Sequence, residues 1–274
     1  MTLADDLLAV YDDRLRGEAE VASAGWSAPH GPLWLARYGR HGLVTYRTLD
    51  GLTGAALDAL VADVATRWAA DPEVTAWEWK TRSHDAPADL ADRLRAAGLR
   101  PEELETIMIG EAAALAVPVD LPEGVEVRRA DVGPERETWV GRAAALQRRV
   151  FGQGPSDAEV LARFDRNEGR AGMWVAAVGE EVISAGRLEV VPGTGCAGLW
   201  GGCTHPDWRG RGVYRALVAA RAAWCLTQDV TYLHSDCSPM SRPILERAGL
   251  VAVTTSTPWV GPGGAAPAVP AAGD

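Results

Sequence analysis

Residues 203–217 read CTHPDWRGRGVYRAL, with Arg209, Gly210, Arg211 and Gly212 in four consecutive positions. Val213, Leu217, Ala220 and Trp224 then fall at i, i+4, i+7 and i+11, so the spacing predicts a helix that begins near Gly212. The first turn of a helix leaves backbone N–H groups unpaired and carries partial positive charge. Gly210 and Gly212 let that backbone come close to a bulky anion, and Arg209 and Arg211 add full charges. Such a combination can hold a diphosphate. The alternative is an ordinary strand–turn–helix link with solvated arginines.

The elements around this turn are what must position it. Before it, AGLWGGCT (197–204) reads as a strand whose glycines Gly198, Gly201 and Gly202 mark a bulge or a close backbone approach. GMWVAAVGEE and VISAGRLEVV form a hairpin ahead of it, VTYLHSDC is a strand after the helix, and SRPILERAGL is a helix closed by Gly249. Two helices, ETWVGRAAALQRRVFG and DAEVLARFDRN, and the strand VEVRRA precede the hairpin, and VAVTTSTPWV is the last strand. Upstream of a proline-bearing linker, AVPVDLPEG (116–124), the pattern is helix (3–22), a break at SAGWSAPHGP, two strands (PLWLARYG, GLVTYRTL), a helix over 55–70, a strand (VTAWEWKTRS), a helix ending at Gly98 and a strand (ELETIMIGEA). LRAAGL (94–99) and LERAGL (245–250) occupy matching places in the two halves. The N-terminal half thus echoes the later part of the C-terminal half, with TLDGLTGAALDAL where the glycine–arginine turn would stand. The expected divisions are 1–117, 118–260 and a disordered tail over 261–274.

Composition narrows the function. The chain has 274 residues, 47 % hydrophobic and 23 % charged, which suits one large or two ordinary globular domains. With 37 acidic and 27 basic residues the formal net charge is −10, a poor balance for sequence-independent nucleic-acid binding but no obstacle to a small anionic ligand held locally. Cys196, Cys203, Cys225 and Cys237 match no zinc or redox spacing and read as reduced thiols, and no metal is expected. The N-terminus carries acids where a secretory signal carries bases, and no apolar run is long enough to span a membrane; the expectation is a cytoplasmic protein with no membrane partner. The 11 tryptophans, Trp77, Trp79, Trp174 and Trp200 among them, read as core, with an aromatic acceptor pocket as the alternative.

With the loop and its flanks in place, the sequence resembles the GNAT superfamily of acyl-CoA-dependent N-acetyltransferases. The family's pyrophosphate loop reads Gln/Arg-x-x-Gly-x-Gly/Ala; Arg209 and Gly212 match its first and fourth positions, and Tyr214 replaces the small last residue. Pro206 and the ending Leu245–Leu250 fit as well, with Leu250 for the usual phenylalanine. The likeness covers about 125–260 in element order. It implies an α/β fold with a mixed, mostly antiparallel sheet flanked by helices, here two such domains in tandem, the N-terminal one partial or degenerate and without a phosphate loop. It also implies acetyl-CoA as co-substrate, no metal, and direct acyl transfer to the amine of a small molecule or peptide, with a homodimer among the assemblies the sequence allows.

The resemblance further implies site residues. The strand before the loop splays from its neighbour, and the amides around Gly202, Cys203 and Thr204 contact pantetheine and the thioester oxygen; Arg209, Gly210, Arg211, Gly212, Val213 and Tyr214 form the diphosphate cradle. Ser238 either bonds pantetheine or caps the following helix. The family's usual base positions hold Gly198 and Trp200, and its usual tyrosine acid is Leu245, so both customary groups are missing. The substitutes weighed as base or amine anchor are Glu189, on the strand paired to the glycine strand, and Asp236 and His234, which alternate onto one face of LHSDCS. The rival expectation is a catalytically silent acyl-CoA-binding sensor or interaction module.

Overall fold

The computed structural model describes residues 2–167 and 169–264. The chain forms two compact units: residues up to Leu7 with Ile107–Val253, and Leu8–Thr106 with the chain from Thr254. The sequence predicts boundaries at 117/118 and 260/261; the units change at 7/8, 106/107 and 253/254.

Elements of the N-terminal part are α1 (Leu3–Arg14), β1 (Trp26–His30), β2 (Leu33–Tyr38), β3 (His41–Tyr46), α2 (Gly54–Ala70), β4 (Ala76–Arg82), α3 (Leu90–Ala96) and β5 (Arg100–Pro101). Then follow β6 (Glu105–Glu111), α4 (Ala112–Leu115), β7 (Val125–Arg129), α5 (Arg136–Phe151), α6 (Asp157–Arg166), β8 (Ala171–Val178), β9 (Glu181–Val191), β10 (Cys196–Thr204), α7 (Val213–Leu226), β11 (Tyr232–Cys237), α8 (Arg242–Ala248) and β12 (Val251–Pro262).

Three local expectations are corrected. The helix expected over 3–22 ends at Arg14 and passes through Gly17, at φ +66°, into a 3-10 turn at Gly17–Val21. The supposed break at SAGWSAPHGP contains β1, whose Pro29 is tolerated because the strand pairs with β2 on one side and ends the described order of its sheet. β12 runs two residues beyond Val260, and the amides of Gly263 and Gly264 donate to Thr75 O (3.1 Å) and Trp68 O (3.0 Å). The rest of the expected tail, 265–274, lies outside the described residues.

In the unit containing Leu8–Thr106 the sheet order is β1-β2-β3-β4-β12, with β5 on β12. β2 and β3 pair antiparallel, β3 and β4 parallel across α2, and β4 and β12 antiparallel. Leu57, Val61, Val64 and Trp68 of α2 bury one face against Val44, Trp77 and Trp79 of this sheet. The ladder between β3 and β4 reaches Val44↔Trp79. Past that rung Thr45, Lys80 and Arg82 converge on Glu20: both Glu20 oxygens accept from Arg82 at 2.6 Å, Lys80 Nζ lies 3.1 Å away, and the Thr45 hydroxyl donates to it. Burial alone would raise the Glu20 pKa, but Arg82 and then Lys80 hold it far below the usual carboxylate range.

The unit containing Ile107–Val253 has the order β7-β8-β9-β10-β11-β6. β7 through β10 pair antiparallel, and β10 and β11 pair parallel across α7. Antiparallel, then parallel across a long helix, is thus the pairing in both units, which is the echo read from LRAAGL and LERAGL. One sheet face packs on α7 through Leu188, Ala197, Leu199, Leu217 and Val218; the other packs on α5 and α6 through Ala143, Val160, Met173, Val175 and Ala185.

Candidate functional site

The site is built where β10 leaves β11. Their ladder runs Cys196↔Tyr232, Ala197↔Leu233, Gly198↔His234 and goes no further, although β10 continues to Thr204. On its other edge β10 stays paired to β9 but slips register between Trp200 and Cys203, leaving Gly201 and Gly202 as a bulge, with Gly201 at φ +58°. Of the three strand glycines, Gly201 and Gly202 make the bulge while Gly198 sits on a regular rung. A Cβ at Gly201 would meet Gln147 Nε2 at 2.8 Å, and one at Gly202 would meet the Tyr214 hydroxyl at 2.5 Å. Gln147 Nε2 also donates to Gly201 O at 2.6 Å, which fixes the bulge from the α5 side.

Beyond β10 the chain passes a 3-10 turn, Pro206–Trp208, and reaches the loop. Gly210 is at φ +74° and Gly212, the residue before α7, at φ +80°. Both lie in the region where only glycine is unstrained. The first turn of α7 therefore opens directly off the loop with its early amides facing outward. Arg209 Nε donates to Thr204 O at 3.2 Å, tying the loop back to the strand end, and the Arg211 guanidinium lies 5.1 Å from the Trp208 ring centre.

Loop, bulge and α8 enclose a cleft of about 620 Å³. Gly202, Cys203 and Thr204 line it from β10; Arg209, Gly210, Gly212, Val213 and Tyr214 line it from the loop and α7; Ser238, Met240 and Ile244 form the opposite wall. Arg211 is exposed and does not line it. Ser238 is not the cap of α8, which is Ser241; its hydroxyl donates to that of Ser241 at 3.4 Å.

Glu189, His234 and Asp236 lie outside this cleft, but register brings the first two together. Gly198 pairs with Glu189 on β9 and with His234 on β11, so the two side chains flank one glycine rung. The Trp200 indole folds back over that rung, since a Cβ at Gly198 would be 2.3 Å from its Nε1, and it meets the His234 ring edge-on at 5.6 Å. By alternation Asp236 shares the face of His234. That face is the α5–α6 side: Glu189 Oε1 accepts from Arg163 Nη1 at 3.1 Å and faces Arg187 Nη1 at 3.8 Å. Trp77, Trp79 and Trp174 are buried in the cores and line no pocket of the site.

Two placements escape a reading of the sequence alone, the direction of the Tyr214 ring and the burial of Arg221. Tyr214 turns its ring inward to Gly202 instead of crowding the loop. Behind it Arg221 is fully buried, with Nε donating to Leu217 O at 3.0 Å and Nη1 to Arg187 O at 2.9 Å, while Nη2 has no hydrogen-bond partner. Burial pushes the Arg221 pKa down, and the Tyr214 phenol opposes that. The signals available are Gly186 and Gly202, strand glycines that make room for Arg221 and Tyr214. No cysteine is primed as a nucleophile by its surroundings at Cys203 or Cys225, where burial pushes the thiols up to about 11 and about 12. Among the described residues no group of three or more His, Cys, Asp or Glu is placed to hold a metal ion, and no helix is long and apolar enough to cross a membrane.

Comparison with known proteins bears on the same region. Residues 142–248 match the Acetyltransferase (GNAT) family. No curated protein matches the chain. Among solved structures, a GCN5-related N-acetyltransferase from Kribbella flavida is similar at TM-score 0.67 and 15 % identity, over 96 % of this chain and 97 % of that one. A tandem GNAT protein from the clavulanic acid biosynthesis pathway is similar at TM-score 0.63 and 14 % identity, over 94 % and 95 %. A GCN5-related N-acetyltransferase from Sphaerobacter thermophilus is similar at 0.57 and 16 %, over 84 % and 76 %. At such identities the likeness speaks for the fold. Fold likeness and the paired sheet pattern together identify the chain as one with the tandem GNAT fold, in which residues 142–248 match the GNAT acetyltransferase family.

Proposed function

We propose that the unit containing residues 107–253 is an acyl-CoA-dependent N-acyltransferase that uses acetyl-CoA and a small-molecule or peptide amine. The observation that carries this reading is the cleft itself: an open helix N-terminus and the left-handed glycines Gly210 and Gly212 at one end, the Gly201–Gly202 bulge at the other. A diphosphate fits the first end, where the amides of α7 and Arg209 supply donors and charge, with Arg211 adding to the local field. A pantetheine arm fits between β10 and the wall of Ser238, Met240 and Ile244. The co-substrate supplies a thioester already activated for acyl transfer. The bulge amides at Gly202 and Cys203 are the donors for the carbonyl oxygen as charge develops there.

Tyr214 is the phenol lining the cleft, and its hydroxyl lies at Gly202. It is assigned to hydrogen-bond and protonate the departing sulfur, the task for which Leu245 offers nothing. Arg221 positions it from behind. On the opposite face His234 and Asp236 are the groups assigned to take the amine proton, since the Glu189 carboxylate already accepts from Arg163 and has the Arg187 guanidinium near it. That engagement, with the buried Leu245, also favours the second reading, a silent acyl-CoA sensor. Calorimetry with acetyl-CoA tests what both readings share: the double variant Arg209→Glu, Arg211→Glu is expected to bind at least ~10-fold more weakly. Equal binding by the variant removes the cradle and both readings with it.

A further inference from the structure

The acyl-transfer reading leaves one charge unexplained. Arg187 stands opposite Trp200 on β9 and beside the bulge, its Nε 3.6 Å from where a Gly201 Cβ would be. Its side chain is 17 % exposed. Arg163 reaches the same place from α6 with its side chain 30 % exposed. Both guanidiniums meet a single acceptor, Oε1 of Glu189, and at 3.8 Å Arg187 is beyond hydrogen-bond reach of it. Among the described residues, Arg187 makes no side-chain hydrogen bond. Among the described residues two cations thus share one anion, the Arg187 side chain mostly buried, one bulge away from the amides assigned to the thioester. A desolvated, uncompensated cation is costly to maintain, and the fold retains Arg187 as one beside the paired Arg163. Burial and the neighbouring Arg163 push the Arg187 pKa down to about 10, which leaves it charged at neutral pH but shows the strain of the arrangement.

We propose that the acceptor is a small aminocarboxylate whose carboxylate is received by Arg187, with Arg163 supporting, on the α5–α6 side of the Gly201–Gly202 bulge. This rests on the N-acyltransferase reading and specifies its second substrate. A carboxylate matches the planar fork of a guanidinium and supplies the missing negative charge. It also orients the substrate. With the carboxylate at Arg187, the amine points across Trp200 toward the β11 face that carries His234 and Asp236. The acyl carbon forms its bond to the amine nitrogen as its bond to sulfur breaks; the amine proton leaves toward that face, and the sulfur gains a proton from the cleft side. Products are an N-acyl aminocarboxylate and free CoA thiol, with no other reactant consumed.

The test is thiol release from acetyl-CoA with matched acceptors: glycine against glycinamide, L-alanine against L-alaninamide, and 4-aminobutyrate against butylamine. The expected result is that the carboxylate-bearing partner of at least one pair is turned over with a kcat/KM at least ~10-fold higher. Arg187→Gln should abolish that preference, bringing the ratio down to about one, while leaving the acetyl-CoA Kd unchanged, and Arg187→Lys should restore part of it. Equal or faster turnover of the uncharged partners, or a preference that survives Arg187→Gln, overturns the proposal. If no amine is turned over, calorimetry of N-acetylglycine on the CoA-saturated protein decides: binding lost in Arg187→Gln supports the carboxylate site, and absence of binding to the wild type overturns it. Failure of the wild type to bind acetyl-CoA marks instead the failure of the underlying N-acyltransferase reading.

Discussion

Gly212→Ala should weaken CoA binding through backbone geometry alone. Gly212 sits at φ +80° as the residue before α7, and the amides that follow it form the diphosphate end of the cleft. An alanine there has two outcomes. It can keep the left-handed backbone at a cost of about 1–2 kcal/mol in stability, with its Cβ pressed to 3.3 Å from Val119 Cγ1. Or it can relax to negative φ, turning at least one amide of the α7 start away from the ligand. One charge-assisted hydrogen bond is worth about 1.5–3 kcal/mol, or roughly 10- to 150-fold in Kd. The expected calorimetric result is a Kd raised at least ~10-fold by Gly212→Ala. Gly51→Ala is the control: Gly51 is also left-handed, at φ +73°, lies in the loop before α2, and has nothing within 4 Å of where an added methyl would stand. It should lose a similar ~1–2 kcal/mol of stability and leave the CoA Kd unchanged. A Kd within about twofold of wild type for Gly212→Ala, or equal weakening by Gly51→Ala, refutes the reasoning.

Three further outcomes are expected. Tyr214→Phe keeps the ring against Gly202 and removes only the hydroxyl, so kcat should fall about 100-fold with the acetyl-CoA Kd unchanged; a fall in affinity with kcat preserved would assign Tyr214 to packing instead. Native mass spectrometry should find one CoA per chain, because the place past the β3–β4 ladder that corresponds to the splay of β10 and β11 is filled by Glu20, Thr45, Lys80 and Arg82; two bound per chain contradicts this. Glu20→Gln should cost about 3–5 kcal/mol by leaving Arg82 and Lys80 without their buried partner. The folded-state pKa of Glu20 is depressed, so its contribution is complete above the unfolded carboxylate value and is lost as the pH falls below about 4. Chemical denaturation across that range should show the wild type losing stability on acidification more steeply than Glu20→Gln.

The parts of the site made by consecutive residues are legible in the sequence. WRGRGVYRAL carries its own glycines, charges and helix periodicity in one short run, and AGLWGGCT marks its own bulge. What the sequence hides depends on partners far apart along the chain. β12 completes the sheet beside β4, pairing Ser256 with Arg82, and nothing local to VAVTTSTPWV says so. The β1 segment reads as a break because Pro29 and the flanking glycines are turn residues, and an edge position is what makes them compatible with a strand. In the sequence Tyr214 is a bulky residue where the loop pattern has a small one; its direction depends on the space at Gly202, in another element. The sharing of Glu189 by Arg163 and Arg187 likewise needs α6 and β9 to meet. Alternation does give the faces: Arg187 and Glu189 share one side of β9, and His234 and Asp236 one side of β11.

The central claim, acyl transfer from acetyl-CoA to an amine in the cleft beside β10, is tested most directly by release of CoA thiol across an amine panel. The expected result is amine-dependent release, with the N-acylated amine formed in equal amount and both lost in the Arg209→Glu, Arg211→Glu variant. Tight acetyl-CoA binding with no thiol released beyond the amine-free rate, for every amine, would contradict it and leave the unit as an acyl-CoA sensor.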